Sequence, residues 1–214
     1  MKTYLFDFDG TLVDSMPYFI KGVLKILNEY KINYDNDIIK TITPLGFAGT
    51  ARHFIKHYGI EKTEEELIEA MKLNMFNDYF YTIQLKNNVE AVLKELKKEN
   101  ASLNILTASP HVTLDACLKR LNIYNIFDNV WSCDDFNTSK NNPEIYKLVA
   151  KKLNVNIKDI LFLDDNLNAN LTAKSAGMLT CGVFDQSSSE YVKEITETTN
   201  FYIYDFSELL SIHF

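Results

Sequence analysis

A chain of 214 residues that is 46% hydrophobic and 24% charged can bury one sizeable core and carry a smaller inserted domain besides, which excludes general disorder. Twenty-nine acidic against 22 basic residues give a formal charge of −7, which argues against a nucleic-acid polymer as partner and leaves nucleotides open as small substrates. Cys117, Cys133 and Cys181 are odd in number, far apart and without Cys-x-x-Cys spacing, so neither a disulfide framework nor a structural zinc site is expected.

The chain opens with a short apolar run, Tyr4-Leu5-Phe6, that meets a cluster of carboxylates, Asp7-Phe8-Asp9-Gly10-Thr11-Leu12-Val13-Asp14. The run reads as a buried strand, and Gly10 lets the backbone leave it without a Cβ penalty. Acids at the mouth of an apolar strand repel one another and resist desolvation, so a cation or a reacting proton must balance them. A hard metal such as Mg²⁺ would serve, whereas a plain solvated Asp-Gly turn is the alternative. No apolar stretch before Asp7 is long enough for a signal peptide, and no later run approaches the roughly eighteen residues of a membrane span. A cytoplasmic protein with no membrane partner is the expectation.

Residues 16–83 read as all helix: Pro17 to Tyr30 with Ser15 as N-cap, Asp37 to Ile42, Ala51 to Tyr58 after a loop from Thr43 to Gly49, and Thr63 to Phe80 opening with a capping box. Beyond them helices and strands alternate: helix Val89 to Lys98, strand Leu103 to Thr107, helix Val112 to Leu121, strand Val130 to Ser132, helix Pro143 to Leu153, strand Ile160 to Leu163, helix Leu167 to Ala176, strand Leu179 to Val183. Phe201 to Tyr204 reads as an edge strand before a final helical turn. That rhythm predicts an α/β fold, a doubly wound parallel sheet (Rossmann-like core) with an inserted all-helical domain. The core comprises residues 1–15 and 84–214, and the insert residues 16–83.

In such sheets ligands collect at the carboxyl ends of the strands. The second strand ends in Thr107-Ala108-Ser109-Pro110, where the hydroxyls either cap the next helix or bind a phosphate. A polar loop carries Lys140 ahead of Pro143, and the fully apolar run Ile160 to Leu163 ends in Asp164-Asp165. Two acidic strand ends, a Thr end and a Lys loop in one α/β domain are hard to attribute to chance.

The order Asp7-x-Asp9, Thr107, Lys140, Asp164-Asp165 resembles the four motifs of the haloacid dehalogenase superfamily, across nearly the whole chain. The resemblance implies that the helical insert is a cap, that Asp7 is the nucleophile taking up a phosphoryl group, and that Asp9 is the acid/base. It further implies that Thr107, Ala108 and Lys140 hold the phosphate, and that Mg²⁺ is bound by Asp7, the backbone carbonyl of Asp9 and Asp165, with Asp164 behind these ligands or reaching the ion through water, the assignment between the two adjacent aspartates being open. Asp164 stands where a common form of the fourth motif has Gly, and Ala169 where that form has another acid, which matches a double-acid variant. The implied activity is Mg²⁺-dependent hydrolysis of a small phosphorylated metabolite (sugar phosphate, phosphoglycolate or nucleotide type) through an aspartyl-phosphate, by a monomer or weak dimer. A phosphomutase of the β-phosphoglucomutase type and a non-catalytic binding protein are the alternatives; retention of both Asp7 and Asp9 speaks against the latter. Leu45-Gly46-Phe47-Ala48-Gly49 corresponds to the mutases' cap loop but lacks its bases, although Arg52 follows closely. His53 and His57 share a helix face, as metal ligands or as packing residues.

Overall fold

In a computed structural model, residues 2–35 and 37–214 are described, and they form two compact units: Met1–Asp14 with Gln84–Phe214, and Ser15–Ile83. In the first, six strands form one sheet: β1 (Thr3–Phe6), β2 (Ser102–Thr107), β3 (Asn129–Ser132), β4 (Ile160–Asp164), β5 (Leu179–Val183) and β6 (Phe201–Ile203). They lie in the order β3-β2-β1-β4-β5-β6, with every neighbouring pair parallel. The central strand β1 sets Phe6 opposite both Ile105 and Leu163, so the residues that follow on β1 and β4 leave the sheet side by side.

Parallel strands covered on both faces need apolar residues in continuous runs, and β1 and β4 have them. Leu5 joins Leu106, Phe162, Tyr146, Val149 and Met178 in the core on one face. On the other, Phe6 stacks on Tyr4 and meets Phe127 edge-on, with ring centroids 5.8 and 6.2 Å apart. Burying each such side chain contributes about 1.5–3 kcal/mol. In this unit the α-helices are Val89–Lys98, His111–Arg120, Glu144–Leu153, Leu167–Ala176 and Val192–Thr198. With only seven glycines in the chain, asparagine takes several left-handed positions: Asn100, Asn122 and Asn154 follow helix ends at φ of 60°, 58° and 54°.

The second unit holds four α-helices, Met16–Glu29, Asp37–Ile42, Gly46–Tyr58 and Glu64–Tyr81. In the last, Leu67, Met71, Met75 and Tyr79 form a buried row at four-residue spacing. It packs where Gly22 leaves room: a Cβ there would come within 2.7 Å of Met75 Cγ. The capping box forms as expected, Thr63 Oγ1 accepting from Glu66 N at 3.1 Å while Glu66 Oε2 accepts from Thr63 N at 2.9 Å.

The fold departs from the sequence expectations at three places. The third helix of the insert starts at Gly46, inside the stretch read as a loop, because Thr43–Leu45 already turns as 3₁₀ helix and leads into it. Ser15 occupies the N-cap position but gives no side-chain cap, and its buried Oγ has no hydrogen-bond partner among the described residues. The helix Val192–Thr198, preceded by the 3₁₀ segment Gln186–Tyr191, went unread because its seven residues bury only Ile195 and leave a weak periodic signal. Among the described residues, no helix is long and apolar enough to cross a membrane.

Candidate active site

The strand register brings the acids together. Asp7 follows β1, its amide donating to the Leu163 carbonyl at 2.9 Å, and Asp164 and Asp165 come at the end of β4. Asp7, Asp164 and Asp165 are 4%, 0% and 7% exposed, and each offers a carboxylate oxygen within 4.8 Å of the others. Lys140 Nζ donates to Asp7 Oδ1 at 2.6 Å and to Asp164 Oδ2 at 2.7 Å. The loop bearing it is held from beneath by Tyr146, whose hydroxyl reaches the Lys140 carbonyl at 3.1 Å and the Ala169 carbonyl at 3.2 Å.

Three buried carboxylates around one ammonium leave uncompensated negative charge, and the acidities register it. Burial pushes the Asp7 carboxyl up to about 7; Lys140 opposes the shift, and Asp164 adds to it. Burial, then Asp164 and Asp7, raise Asp165 well above the usual carboxylate range. Burial works against the Lys140 charge, but Asp164 and Asp7 outweigh it and hold the ammonium well above its ordinary value.

Each acid is also oriented. Asp164 Oδ1 accepts from the Asn166 amide at 2.7 Å, and Asn170 Nδ2 donates to the Asp164 carbonyl at 2.8 Å. Thr11 Oγ1 donates to Asp165 Oδ1 and accepts from Asp165 N, both at 3.1 Å. Gly10, at φ +76°, lies so close that a Cβ on it would sit 2.7 Å from Asp165 Oδ2. The Asp9 carboxylate takes a separate partner, accepting from Ser109 Oγ at 2.5 Å. Thr107, buried at the end of β2, accepts from Ser109 N through its hydroxyl at 3.1 Å, and Ala108 between them is exposed.

Of the two roles open to the Ser109 hydroxyl, helix cap or phosphate ligand, the cap is not made. The helix begins at His111, with Pro110 as its N-cap, so Ser109 lies outside it and its hydroxyl is turned to Asp9. Tyr146 and Asn170 were missed, since a lone Tyr or Asn carries no spacing signal; Thr11 stands in the opening acidic stretch, but its two bonds to Asp165 show only once β1 and β4 pair in parallel. Among the described residues, no group of three or more potential metal ligands includes His53 or His57. Their rings stack instead, with centroids 4.4 Å apart. Arg52 pairs with Glu64 at 3.1 Å on the surface of its own unit.

Similarity to known proteins follows the same outline. The pyrophosphatase PpaX of Bacillus cereus is 27% identical over 183 residues, covering 86% of this chain and 83% of its own. A structure from Haemophilus somnus, described as a predicted phosphoglycolate phosphatase, superposes with a TM-score of 0.82 at 22% identity, covering 99% of this chain and 97% of that one. YfnB of Bacillus subtilis, described as a HAD-hydrolase bound to magnesium, gives a TM-score of 0.76 at 18% identity, with 98% and 97% covered. Residues 4–183 match the family of haloacid dehalogenase-like hydrolases, and with more than four-fifths of its length inside that match the chain belongs to this enzyme family.

Proposed function

We propose that the protein hydrolyses small phosphate monoesters, that Asp7 is its nucleophile and Asp9 its acid/base, and that it works with Mg²⁺. The observation that carries this reading is the convergence of Asp7, Asp164 and Asp165 beside Lys140 at the carboxyl ends of β1 and β4. The donor set fits a hard divalent cation: all three side chains offer oxygen, the negative charge is in excess, and no thiolate or imidazole belongs to the group. Asp7, the Asp9 carbonyl and Asp165 would hold the ion, with Asp164 behind them. Bound there, Mg²⁺ supplies the positive charge against which a carboxylate and a phosphate dianion can approach.

In the first half-reaction an Asp7 oxygen attacks phosphorus, the bond from phosphorus to the ester oxygen breaks, and Asp9 passes its proton to the departing alkoxide. In the second, Asp9 takes a proton from water as that water attacks the phosphorus. The bond to Asp7 then breaks, inorganic phosphate leaves, and both carboxyl groups return to their starting states. Splitting the displacement in two matters because uncatalysed phosphate monoester hydrolysis is among the slowest of reactions. Lys140 and Thr107, with the Ala108 backbone, would hold the phosphate oxygens, and Ser109 keeps the Asp9 carboxylate aimed from β2.

A release assay for inorganic phosphate over sugar phosphates, phosphoglycolate, nucleotides and pyrophosphate, with and without Mg²⁺, tests the reading. Mg²⁺-dependent turnover of at least one phosphate monoester is expected. No release from any of them by the folded protein would overturn it.

A further inference from the structure

Lys86 belongs to none of the motifs, yet its ammonium meets three acceptors on two segments. Nζ donates to the Gly10 carbonyl at 2.7 Å, to the Phe184 carbonyl at 2.5 Å and to Asp185 Oδ2 at 3.1 Å. The side chain is 20% exposed and that of Asp185 5%, so this is not one of the solvated surface pairs that contribute little. An ammonium has three protons, and here each has an acceptor. The partners are themselves fixed: Asp185 Oδ1 accepts from Ser187 N at 2.9 Å, and the Lys86 amide donates to the Leu12 carbonyl at 3.0 Å.

What Lys86 grips is the turn against which Asp165 rests. Gly10 has no room for a Cβ beside the Asp165 carboxylate, and the next residue, Thr11, exchanges two hydrogen bonds with Asp165. The same turn follows directly on Asp9. We propose that Lys86 is a positioning residue: by fastening the Gly10 carbonyl to Phe184 and Asp185 just past β5, it fixes the turn that sets Asp9 and Asp165. This rests on the phosphatase reading for its effect on rate, but the clamp itself can be tested without it.

Lys86→Met keeps the aliphatic stem and removes the ammonium; Asp185→Asn keeps the shape and removes the charge. Hydrogen exchange of the Leu12 and Val13 amides, both bonded to the Phe8 carbonyl, reads the turn directly. Exchange there is expected to quicken about tenfold in Lys86→Met and less in Asp185→Asn, with β2 and β4 unchanged. With p-nitrophenyl phosphate, kcat is expected to fall roughly ten- to a hundredfold in Lys86→Met, with KM within about twofold. Adding Asp185→Asn to Lys86→Met should cost little more, because both act through one clamp. Unaltered exchange at Leu12 and Val13 in either folded variant would overturn the proposal, as would quickened exchange with kcat intact or effects that simply multiply in the double variant. Should the wild type release no phosphate, the phosphatase reading fails while the exchange comparison still decides the clamp.

Discussion

Ser109 Oγ donates to Asp9 Oδ2 at 2.5 Å, joining the end of β2 to the turn that follows β1. If Asp9 shuttles the proton, this bond fixes the direction in which its carboxylate faces. Ser109→Ala is therefore expected to lower kcat about five- to tenfold, the equivalent of roughly 1 kcal/mol for one hydrogen bond, with KM nearly constant. Steady-state kinetics on p-nitrophenyl phosphate decide it, and an unchanged kcat would remove Ser109 from the account.

Asp7→Asn keeps the shape of the side chain and removes the charge of the proposed nucleophile. Turnover should drop by at least about a thousandfold while the fold survives. The Asn amide would still face Lys140 and Asp164, and trading a buried carboxylate for a neutral group relieves repulsion, so the melting temperature should hold or rise. Substantial activity in a folded variant would displace Asp7 as nucleophile.

The doubly wound sheet was legible because its strands are short apolar runs with helices between them, and the acids were legible because carboxylates directly after such runs have few structural uses. What could not be read was partnership across the chain. Ser109 and Asp9 are one hundred residues apart and Lys86 and Asp185 ninety-nine, and no local pattern encodes either pairing. Gly46 begins a helix in a segment whose Thr, Pro and two Gly argue locally for a loop, so there the packing of the helical unit overrides propensity.

The two adjacent aspartates should separate by metal requirement. Asp164 has both carboxylate oxygens engaged, by Lys140 and by the Asn166 amide, whereas Asp165 accepts at Oδ1 from Thr11. Asp165→Ala is expected to raise the Mg²⁺ concentration for half-maximal activity by about tenfold or more, and Asp164→Ala by less. Titration of Mg²⁺ by calorimetry gives the same ranking without turnover. The reverse order would exchange the roles of the two residues, and full activity in a chelator would dismiss the metal altogether.

His111 provides a pH test of stability. Its ring nitrogens lie 3.0 Å from Asp115 Oδ1 and 2.9 Å from Asp135 Oδ2, and these hydrogen bonds raise its pKa above the ordinary 6.5. A raised folded pKa means that the contribution is complete below the unfolded value and is lost as pH climbs through the folded one. With the ring 41% exposed, solvent screening limits the contribution to about a few tenths of a kcal/mol. From pH 5.5 to 8.5 the wild type should therefore lose slightly more stability than His111→Gln, as measured by denaturant unfolding. Parallel pH profiles would show that the two ion pairs contribute nothing.

Hydrolase and mutase would differ in what happens to the phosphoryl group that the proposed mechanism puts on Asp7. A mutase must return it to a second hydroxyl of the sugar before water arrives, which requires cations that grip the phosphate not being transferred. The stretch that the resemblance sets against the mutases' cap loop, Leu45 to Gly49, has no basic residue, and Arg52 is engaged by Glu64 at 3.1 Å. Hexose 1-phosphates should accordingly give inorganic phosphate and no hexose 6-phosphate, even with a hexose bisphosphate primer present. Both products can be followed in one reaction by phosphorus NMR. Isomerised sugar phosphate forming faster than inorganic phosphate would turn the reading to a mutase, and Arg52→Ala, which should leave phosphate release unchanged within about threefold, would then be expected to abolish the isomerisation.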